Sequence, residues 1–451
     1  MAQTTFPKDF VWGCAASAYQ IEGAWNEGGK GLSIWDRFTH QPGKIAGGAN
    51  GDIATDHYHR YQQDVALMAE IGLPAYRFST SWSRILPEGI GAVNQKGLDF
   101  YDRLVDALVA KNIEPYVCLY HYDLPLALEK KGGWTKRETA TNFAEYAYLV
   151  VERLSDRVTT FFTHNEPGVA AASGYLLGRH APGRKNPVAM IKAIHHMLLS
   201  HGFAMDSIRS AARQPLKIGI TLNLSPVYSF SDDPRDAALA RRADVIANRY
   251  ALDPLLKGTT PLQQFALGRT FSKLFIKPGD LEMIHRLDLL GVNYYSRFVA
   301  KHHPQLLFMP AGLGKIEGGE YSMMWEIYPR GIYDMLTRIW KDYRPTCEIL
   351  ITENGVPLLD TLDSDGYVHD EIRIGYIKEH LTQVHLAMQS GVPVKGYFHW
   401  SFMDNFEWAL GYTPRFGLVH VDYNTLERTI KESGRWFQKV IQSNGLPCEA
   451  G

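Results

Sequence analysis

Two glutamates each stand directly after a run of strand-forming residues. Glu166 follows the stretch 159–165, and Glu353 follows the apolar run ILIT in the sequence ILITENG. An apolar run predicts a strand that is buried on both faces, so a carboxyl group at its end needs a reason. Two carboxyl groups that face each other suit cleavage of a glycosidic bond, because one can protonate the leaving oxygen while the other attacks or activates water. The alternative is that each glutamate lies at the surface or in a salt bridge.

Other polar and aromatic residues fall at the ends of further apolar runs. In a barrel of parallel strands, the groups that do chemistry come from the carboxyl ends of the strands. Their recurrence at these positions is stronger evidence for a site than any single residue. The residues concerned are Gln20, Arg77, His121, Asn165, Asn223, Asn293, Tyr295, Trp400, Glu407 and Trp408.

Eight strand-like runs alternate with helix-like stretches along the chain. This alternation predicts an α/β fold, a (β/α)8 TIM barrel with long loops after the strands. A doubly wound open sheet is the competing interpretation, but no GxGxxG motif follows an early strand, and AGLGKIEGG at 311–319 has the wrong spacing. The predicted strands cover residues 10–15, 75–80, 115–122, 159–165, 217–224, 289–295, 348–352 and 395–401, and the predicted helices include 100–112, 139–154 and 187–212.

Two segments between these elements are predicted to be long loops, at residues 30–51 and 302–322. Loops of this length in a compact domain are usually functional. The sequence shows no internal repeat and no linker rich in proline, serine or charge. It therefore predicts one barrel domain over residues 1–451.

Composition restricts the partners and the compartment. The 451 residues are 45% hydrophobic and carry a formal net charge of -1, which gives no support to binding of nucleic acid or of a membrane surface. No apolar run approaches the roughly 18 residues of a membrane span, and the first residues lack the pattern of a secretory signal. Four cysteines without CxxC spacing indicate reduced thiols. We therefore expect a cytoplasmic protein.

The histidines give little support to a metal site. His57 and His59 are two residues apart, so they do not share a helix face, and no second cluster completes a site. His195, His196 and His201 fall in a predicted helix, where packing or capping is the simpler explanation. Neither a GxSxG nor a GxxxxGK[ST] motif is present. We therefore predict no metal and no cofactor.

The sequence resembles the glycoside hydrolase family 1 β-glucosidases over nearly its whole length. Several specific motifs occur in the family's order, which makes a chance match untenable. The resemblance implies a (β/α)8 barrel and a double displacement that retains the anomeric configuration. The motifs are FVWGCAASAYQIEGA, AYRFSTSWSRILP, THNEP, GYLLGRHAPG, GVNYYS, ITENG and WSFMDNFEWALGYTPRFGL.

The resemblance also implies roles for the two glutamates and their neighbours. Glu353 matches the family's nucleophile, and Glu166 matches its general acid, which later acts as general base. The charge on Glu353 would keep Glu166 protonated for the first step, and its loss in the covalent intermediate would let Glu166 accept a proton. Arg77 and Tyr295 match the residues that stabilise the ionised nucleophile, and Asn165 matches the residue that bonds the sugar 2-hydroxyl.

Further motif positions are implied to bind the sugar. Trp400 matches the platform that stacks under the glycone, Trp325 matches a tryptophan on the aglycone side, and Phe416 would close the pocket wall. The positions that bond sugar hydroxyls in the family correspond here to Gln20, His121, Glu407 and Trp408, with Asn293 lining the same pocket.

The sequence departs from the family pattern close to the site. Tyr122 stands where the family often has Trp or Phe, Leu126 stands where Gln is common, and Gly168 replaces a frequent aromatic residue after NEP. The glycine should widen the aglycone side. Glu166 is not the Gln of plant myrosinases, and the charge of Glu407 would repel a 6-phosphate, so unphosphorylated O-glycosides are the expected substrates.

The predicted function is that of a β-glucosidase with β-galactosidase or β-fucosidase side activity. It would remove terminal β-D-glucosyl residues from oligosaccharides or from aryl and alkyl β-glucosides. A transglycosidase that uses the same covalent intermediate is the close alternative. A sugar-binding barrel without catalysis is a third alternative, which the two intact glutamates disfavour. The expected partner is a small β-glycoside, with no nucleic acid and no membrane.

Overall fold

Eight parallel strands close into a barrel at the centre of the structure, which is a computed structural model that describes residues 4–264, 266–302 and 318–447. The strands are β1 (Val11–Ala15), β2 (Ala75–Ser79), β3 (Glu114–Cys118), β4 (Thr160–Asn165), β5 (Lys217–Asn223), β6 (Leu289–Asn293), β7 (Glu348–Asn354) and β8 (Val394–Trp400). Each strand pairs with the next in sequence, and β8 returns to pair with β1. All eight carboxyl ends therefore meet at one mouth.

The closed barrel confirms the predicted (β/α)8 fold and excludes the open sheet. Strand ends differ from the prediction by a few residues. The third strand ends at Cys118 instead of continuing to residue 122, because the chain turns over the mouth, where Tyr122 has a φ of 77° that a strand does not hold. The seventh strand runs two residues further than predicted, because Asn354 still pairs with His399 of β8.

Helices cover the outside of the barrel, and the predicted helices lie close to their observed bounds. The helix predicted at 100–112 begins earlier, at Gln95, because Leu98 already packs into the core while Gln95 and Lys96 face solvent. The α-helices of the described residues are Ala18–Ile21, Ile34–Thr39, His57–Ile71, Trp82–Ile85, Gln95–Ala110, Leu126–Lys130, Glu138–Leu154, Pro167–Ala171, Pro187–Ala211, Pro234–Asp244, Tyr250–Lys257, Ala266–Ser272, Asp280–Ile284, Arg330–Tyr343, Glu371–Gln389 and Glu432–Ser443.

The segment at 30–51 is more ordered than the predicted loop. A capping box begins the helix Ile34–Thr39 there, in which the Ser33 hydroxyl accepts from the Asp36 N–H at 3.1 Å and the Asp36 carboxylate accepts from the Ser33 N–H at 2.6 Å. The other predicted loop, 302–322, falls largely on residues 303–317, which lie outside the described residues. Further short elements are the strands Val227–Ser229, Phe298–Ala300, Val419–Val421 and Arg428–Ile430, the π-helical turns Ala172–Leu176 and Val245–Arg249, and the 3-10 turns Ala46–Gly48, Gly133–Thr135, Pro261–Gln264 and Trp408–Leu410.

An apolar layer fills the barrel below its mouth. Tyr116, Phe162 and Phe398 belong to this layer, and all three are buried. Gly13 makes room for the Phe398 ring, since a Cβ on Gly13 would lie 2.5 Å from that ring. Trp400 belongs to the same layer and also lines the cavity at the mouth. The interior is therefore a packed floor on which the site rests.

The described cysteines agree with the prediction of reduced thiols. Cys14, Cys118 and Cys347 are free and buried, and Cys448 lies outside the described residues. Among the helices that the structure describes, none has both the length and the apolar character needed to cross a bilayer.

Candidate active site

Glu353 is held at the mouth end of β7 by two donors. The Arg77 guanidinium donates to Oε1 at 2.8 Å, and the Tyr295 hydroxyl donates to Oε2 at 2.7 Å. Arg77 comes from β2 and is fully buried, while Glu353 is only 3% exposed. A charged donor and a hydroxyl on the same carboxylate stabilise its ionised form.

The ionisation of Glu353 reflects opposing effects. Burial raises its pKa, the Arg77 charge lowers it and the nearby Glu166 raises it, and the net result is a pKa of about 7. Burial, helped by the charge of Glu353, also raises the pKa of Tyr295 well above its usual value, so that the phenol keeps its proton and remains a donor. Glu353 can therefore be an anion near neutral pH only because Arg77 and Tyr295 contact it.

Glu166 lies in different surroundings immediately after β4. Its backbone turns into the left-handed region with a φ of 48°, and its N–H donates to the Thr221 carbonyl at 2.8 Å. The side-chain amides of Asn293 and Asn223 donate to Oε1 at 2.7 and 2.9 Å, and the Tyr122 hydroxyl bonds Oε2. These partners are all neutral. Glu166 therefore differs from Glu353 in that no charged group among the described residues contacts its carboxyl group.

Asn165 links the two glutamates into one network. Its Oδ1 accepts from Arg77 at 2.8 Å and from Asn293 at 3.1 Å. Its Nδ2 bonds Nε2 of His121 at 3.1 Å, which places the imidazole proton on Nδ1. Burial, and then the charge of Arg77, lower the pKa of His121 well below its usual value. His121 is therefore neutral, with an N–H on the atom that has no partner among the described residues.

Glu407 and two tryptophans form another part of the mouth. The only described hydrogen bond to the Glu407 carboxylate is a long one, 3.4 Å from Gln20 Nε2. Burial, together with the charges of Glu353 and Glu166, raises the pKa of Glu407 to about 8. The rings of Trp400 and Trp408 stack on His121 at centroid distances of 5.7 and 5.9 Å. This part of the site offers a carboxylate with unused acceptor capacity beside flat apolar faces.

A buried charge cluster holds the loop that carries Glu407 and Trp408. Asp404, fully buried, accepts from Lys431 Nζ and from Arg415 Nη1, each at 2.7 Å. Lys431 also pairs with Asp360. The N–H of Gly417 donates to the same aspartate at 2.9 Å, just after Phe416. Both ends of the loop after β8 are thereby tied to one anchor.

The structure brings all the sequence-predicted site residues together around one cavity of about 190 Å³. Trp325 and Phe416 form an aromatic wall with Tyr295, at centroid distances of 5.1 Å from Tyr295 to Trp325 and 6.0 Å from Trp325 to Phe416. Gln20, Arg77 and Asn293 act from behind this lining by bonding residues in it. The predicted residues on the lining itself are His121, Asn165, Glu166, Tyr295, Trp325, Glu353, Trp400, Glu407, Trp408 and Phe416.

Two direct partners of Glu166 were not among the predicted site residues. The sequence marks Tyr122 only as a departure from the family pattern and Asn223 only as a polar residue at a strand end, yet both bond Glu166. Both follow the rule that found the others, since Asn223 ends β5 and Tyr122 follows β3. The rule finds the position of such residues but not the direction of their side chains.

The histidines considered as metal ligands bond other protein groups. His57 pairs with the buried Asp64 at 2.7 Å, and the exposed His59 bonds Asp56 at 2.6 Å. The three histidines of the helix Pro187–Ala211 are also buried and hydrogen-bonded to protein groups. His195 bonds Asp280, and His196 bonds the Trp134 carbonyl. His201 bonds the Arg286 carbonyl and the Thr163 hydroxyl.

A parallel barrel with two differently partnered carboxyl groups at its mouth is the arrangement expected of a barrel glycoside hydrolase. The sequence model of the family described as Glycosyl hydrolase family 1 matches residues 2–446. The chain belongs to this family, which confirms the resemblance carried by its motifs.

Named relatives match the chain along nearly its whole length. β-Glucosidase A of Acetivibrio thermocellus is 48% identical over 453 residues, which cover 99% of this chain and 100% of that protein. The bifunctional β-D-glucosidase/β-D-fucosidase of Bifidobacterium breve is 41% identical over 458 residues, covering 97% and 98%. A solved structure of the Thermotoga maritima β-glucosidase in complex with glucoimidazole is similar with a TM-score of 0.93 at 43% identity, covering 98% of this chain and 100% of that one.

Proposed function

We propose that the chain is a retaining β-glucosidase that hydrolyses terminal β-D-glucosyl residues of oligosaccharides and of aryl or alkyl β-glucosides. The observation that carries the proposal is the contrast between the two carboxyl groups: a guanidinium contacts Glu353, whereas the described donors to Glu166 are all neutral. The names of the relatives support the glucoside preference, and the Bifidobacterium relative supports a β-fucosidase side activity. A β-galactosidase side activity is part of the same proposal.

In the first step, an oxygen of Glu353 attacks the anomeric carbon as the glycosidic C–O bond breaks. Glu166 gives its proton to the departing oxygen, and the aglycone leaves as an alcohol. Arg77 and Tyr295 hold the attacking carboxylate in place and keep it ionised until it attacks. The second step reverses this chemistry. Glu166, now an anion, takes a proton from water, the water oxygen bonds the anomeric carbon, and the bond to Glu353 breaks.

The glycone would bind between the aromatic faces and the polar residues of the mouth. Trp400 would stack under the sugar ring, while Glu407, Gln20 and His121 would bond its hydroxyl groups, with Trp408 beside them. Asn165 would bond the 2-hydroxyl. A cavity of about 190 Å³ has room for about one sugar ring, which favours removal of a terminal residue. An ionised Glu407 would repel a sugar phosphate, so the substrate would be unphosphorylated.

Two substitutions test the assignment of roles. Glu353→Ala should abolish turnover of nitrophenyl β-glucoside, while Glu348→Ala, an exposed salt-bridge change in the same strand, should keep it. Glu166→Ala should be rescued by added azide, which would enter on the β face and give a β-glycosyl azide. Full activity of Glu353→Ala, or an α-glycosyl azide product, would show that the roles are wrongly assigned.

A transglycosidase would share every one of these residues, and its products would differ. Product analysis at high acceptor concentration should show mainly free sugar from this enzyme. Predominance of transfer products would favour the transglycosidase. We also infer one catalytic domain that works in a reducing compartment such as the cytoplasm, supported by the eight strands spread along the chain and by three free, buried thiols.

A further inference from the structure

A second cavity, which we call the side cavity, adjoins the cavity at the barrel mouth. Its volume is about 340 Å³, within the usual range of ligand pockets. Glu166, Val169 and Asn223 line both cavities, so the two share a wall at the carboxyl group that acts as acid and base. Beyond that wall the lining is mainly aliphatic and aromatic, with Leu222 and Phe298 among its members.

Gly168 leaves this space open. It lies two residues after Glu166, near the start of the helix Pro167–Ala171, and it lines the side cavity. A Cβ at this position would have no described atom within 4 Å. Within the described part of the chain, no neighbouring group occupies the volume that a larger side chain would take.

The side cavity also reaches solvent through apolar residues. Leu177 and Ile246 belong to its lining, yet they are 37% and 48% exposed. A ligand that enters from the catalytic cavity can therefore extend along an apolar path towards the surface. Exposed large apolar residues at the rim of a pocket are typical of a binding site.

We propose that the side cavity binds the hydrocarbon aglycone of a β-glucoside, with a straight alkyl chain as the fitting occupant. This proposal rests on the proposed function, because Glu166 can protonate the glycosidic oxygen only if the aglycone begins beside it. From the glycosidic oxygen, the alkyl chain of the aglycone would pass Gly168 and Val169 into the side cavity. Apolar walls favour a buried hydrocarbon, whereas a second sugar placed there would leave hydroxyl groups without hydrogen-bond partners.

A chain-length series tests the site. The measurement is kcat/KM for methyl, butyl, hexyl and octyl β-D-glucosides. Each buried methylene should contribute about fourfold. Burial of about half of the seven added methylenes should therefore make the octyl glucoside on the order of 100-fold better than the methyl glucoside. In Gly168→Leu the new side chain would occupy the cavity, so the octyl-to-methyl ratio should fall at least about tenfold.

Two further variants make the result interpretable. Gly375→Leu is the matched control, because Gly375 is also a helix glycine with open space around it, but it is exposed and outside both cavities. Its octyl-to-methyl ratio should equal that of the unmodified enzyme. Ile246→Asp places a carboxylate in the cavity wall at a half-exposed position, where the charge can stay in contact with water, and it should also lower the ratio.

The outcomes separate this proposal from the proposed function. If the unmodified enzyme shows no dependence on chain length, or if Gly168→Leu and Ile246→Asp keep its ratio, the side cavity does not bind the aglycone. If the enzyme turns over neither methyl nor nitrophenyl β-glucoside, the proposed function itself fails.

Discussion

Tyr295→Phe should move the acidic limb of the pH–rate profile to higher pH. The hydroxyl of Tyr295 donates to Glu353 at 2.7 Å, and this bond favours the ionised carboxylate over the protonated form. Burial raises the pKa of Glu353, and the Tyr295 hydrogen bond lowers it. When the hydroxyl is removed, the pKa of Glu353 should therefore rise from its value of about 7. The proposed attack by Glu353 requires the anion, and therefore the activity that is lost on acidification should be lost at a higher pH.

The size of the shift follows from the energy of one charge-assisted hydrogen bond. Such bonds contribute about 1.5–3 kcal/mol. Because Tyr295 keeps some contact with solvent, the lower end of the range applies. One pKa unit corresponds to about 1.4 kcal/mol, so the acidic limb of kcat/KM should move up by about one pH unit. The profile should be measured with nitrophenyl β-glucoside from about pH 4 to 9, a range that brackets the limb.

Tyr294→Phe provides the matched control. Tyr294 is the preceding residue, and its hydroxyl donates to the Tyr328 carbonyl at 2.6 Å instead of to a carboxylate. This variant should lose some stability but keep the acidic limb of the unmodified enzyme. A limb that stays in place or moves to lower pH in Tyr295→Phe would refute the reasoning, because the phenol would then not stabilise the anion.

Three further predictions concern other parts of the site. Glu407→Gln should stabilise the protein at pH 8–9 by roughly 2–4 kcal/mol of unfolding free energy, seen as a higher melting temperature. Near pH 4 it should have no such effect. The reason is that a carboxyl group whose pKa is raised in the folded state loses its stabilising contribution as the pH rises through about 8. Lys431→Met should cost about 3–5 kcal/mol in urea unfolding because Asp404 would remain buried with less compensation; a neutral effect would contradict this. Tyr122→Phe removes a hydrogen bond that positions Glu166, and it should slow the hydrolysis of alkyl glucosides about tenfold more than that of nitrophenyl glucoside. The difference arises because only poor leaving groups need the proton of Glu166. Equal slowing of both substrates would exclude a role of Tyr122 in positioning Glu166.

The fold could be predicted because its signal is local. The strand-forming runs before Glu166 and Glu353 are recognisable from the local sequence, and their alternation with helices leaves few possible topologies. The ends of elements depend on tertiary contacts instead. The seventh strand continues to Asn354 because β8 pairs with it there, and the helix at Gln95 begins early because Leu98 packs inward. Neither cause is visible in the segment itself.

The residues of the site could be predicted from the fold, but several of their interactions could not. Parallel strands bring their carboxyl ends together, so polar residues there must meet at the mouth. The sequence could not show that Lys431 pairs with Asp404, since that ion pair depends on how the last helix packs under the loop. Nor could it show that Tyr122 bonds Glu166 or that an apolar cavity opens beside Gly168. Side-chain direction and empty volume are properties of the packed molecule.

The carboxyl groups of the mouth impose an energetic cost that the proposed reaction can use. Burial raises the pKa of Glu353 and of Glu407, which means that the folded protein holds these charges unfavourably. An oxocarbenium-like transition state develops positive charge on the sugar between them. That charge would be stabilised by carboxyl groups already fixed in the site, without a reorganisation step, and it would favour ionisation of Glu407. Arg77 limits the cost by compensating one anion through a direct contact, and it lies at the base of the network, bonded to Asn165 as well. In the proposed reaction, this arrangement would let Glu353 stay ionised, and the positive charge that develops on the sugar would be its counterion.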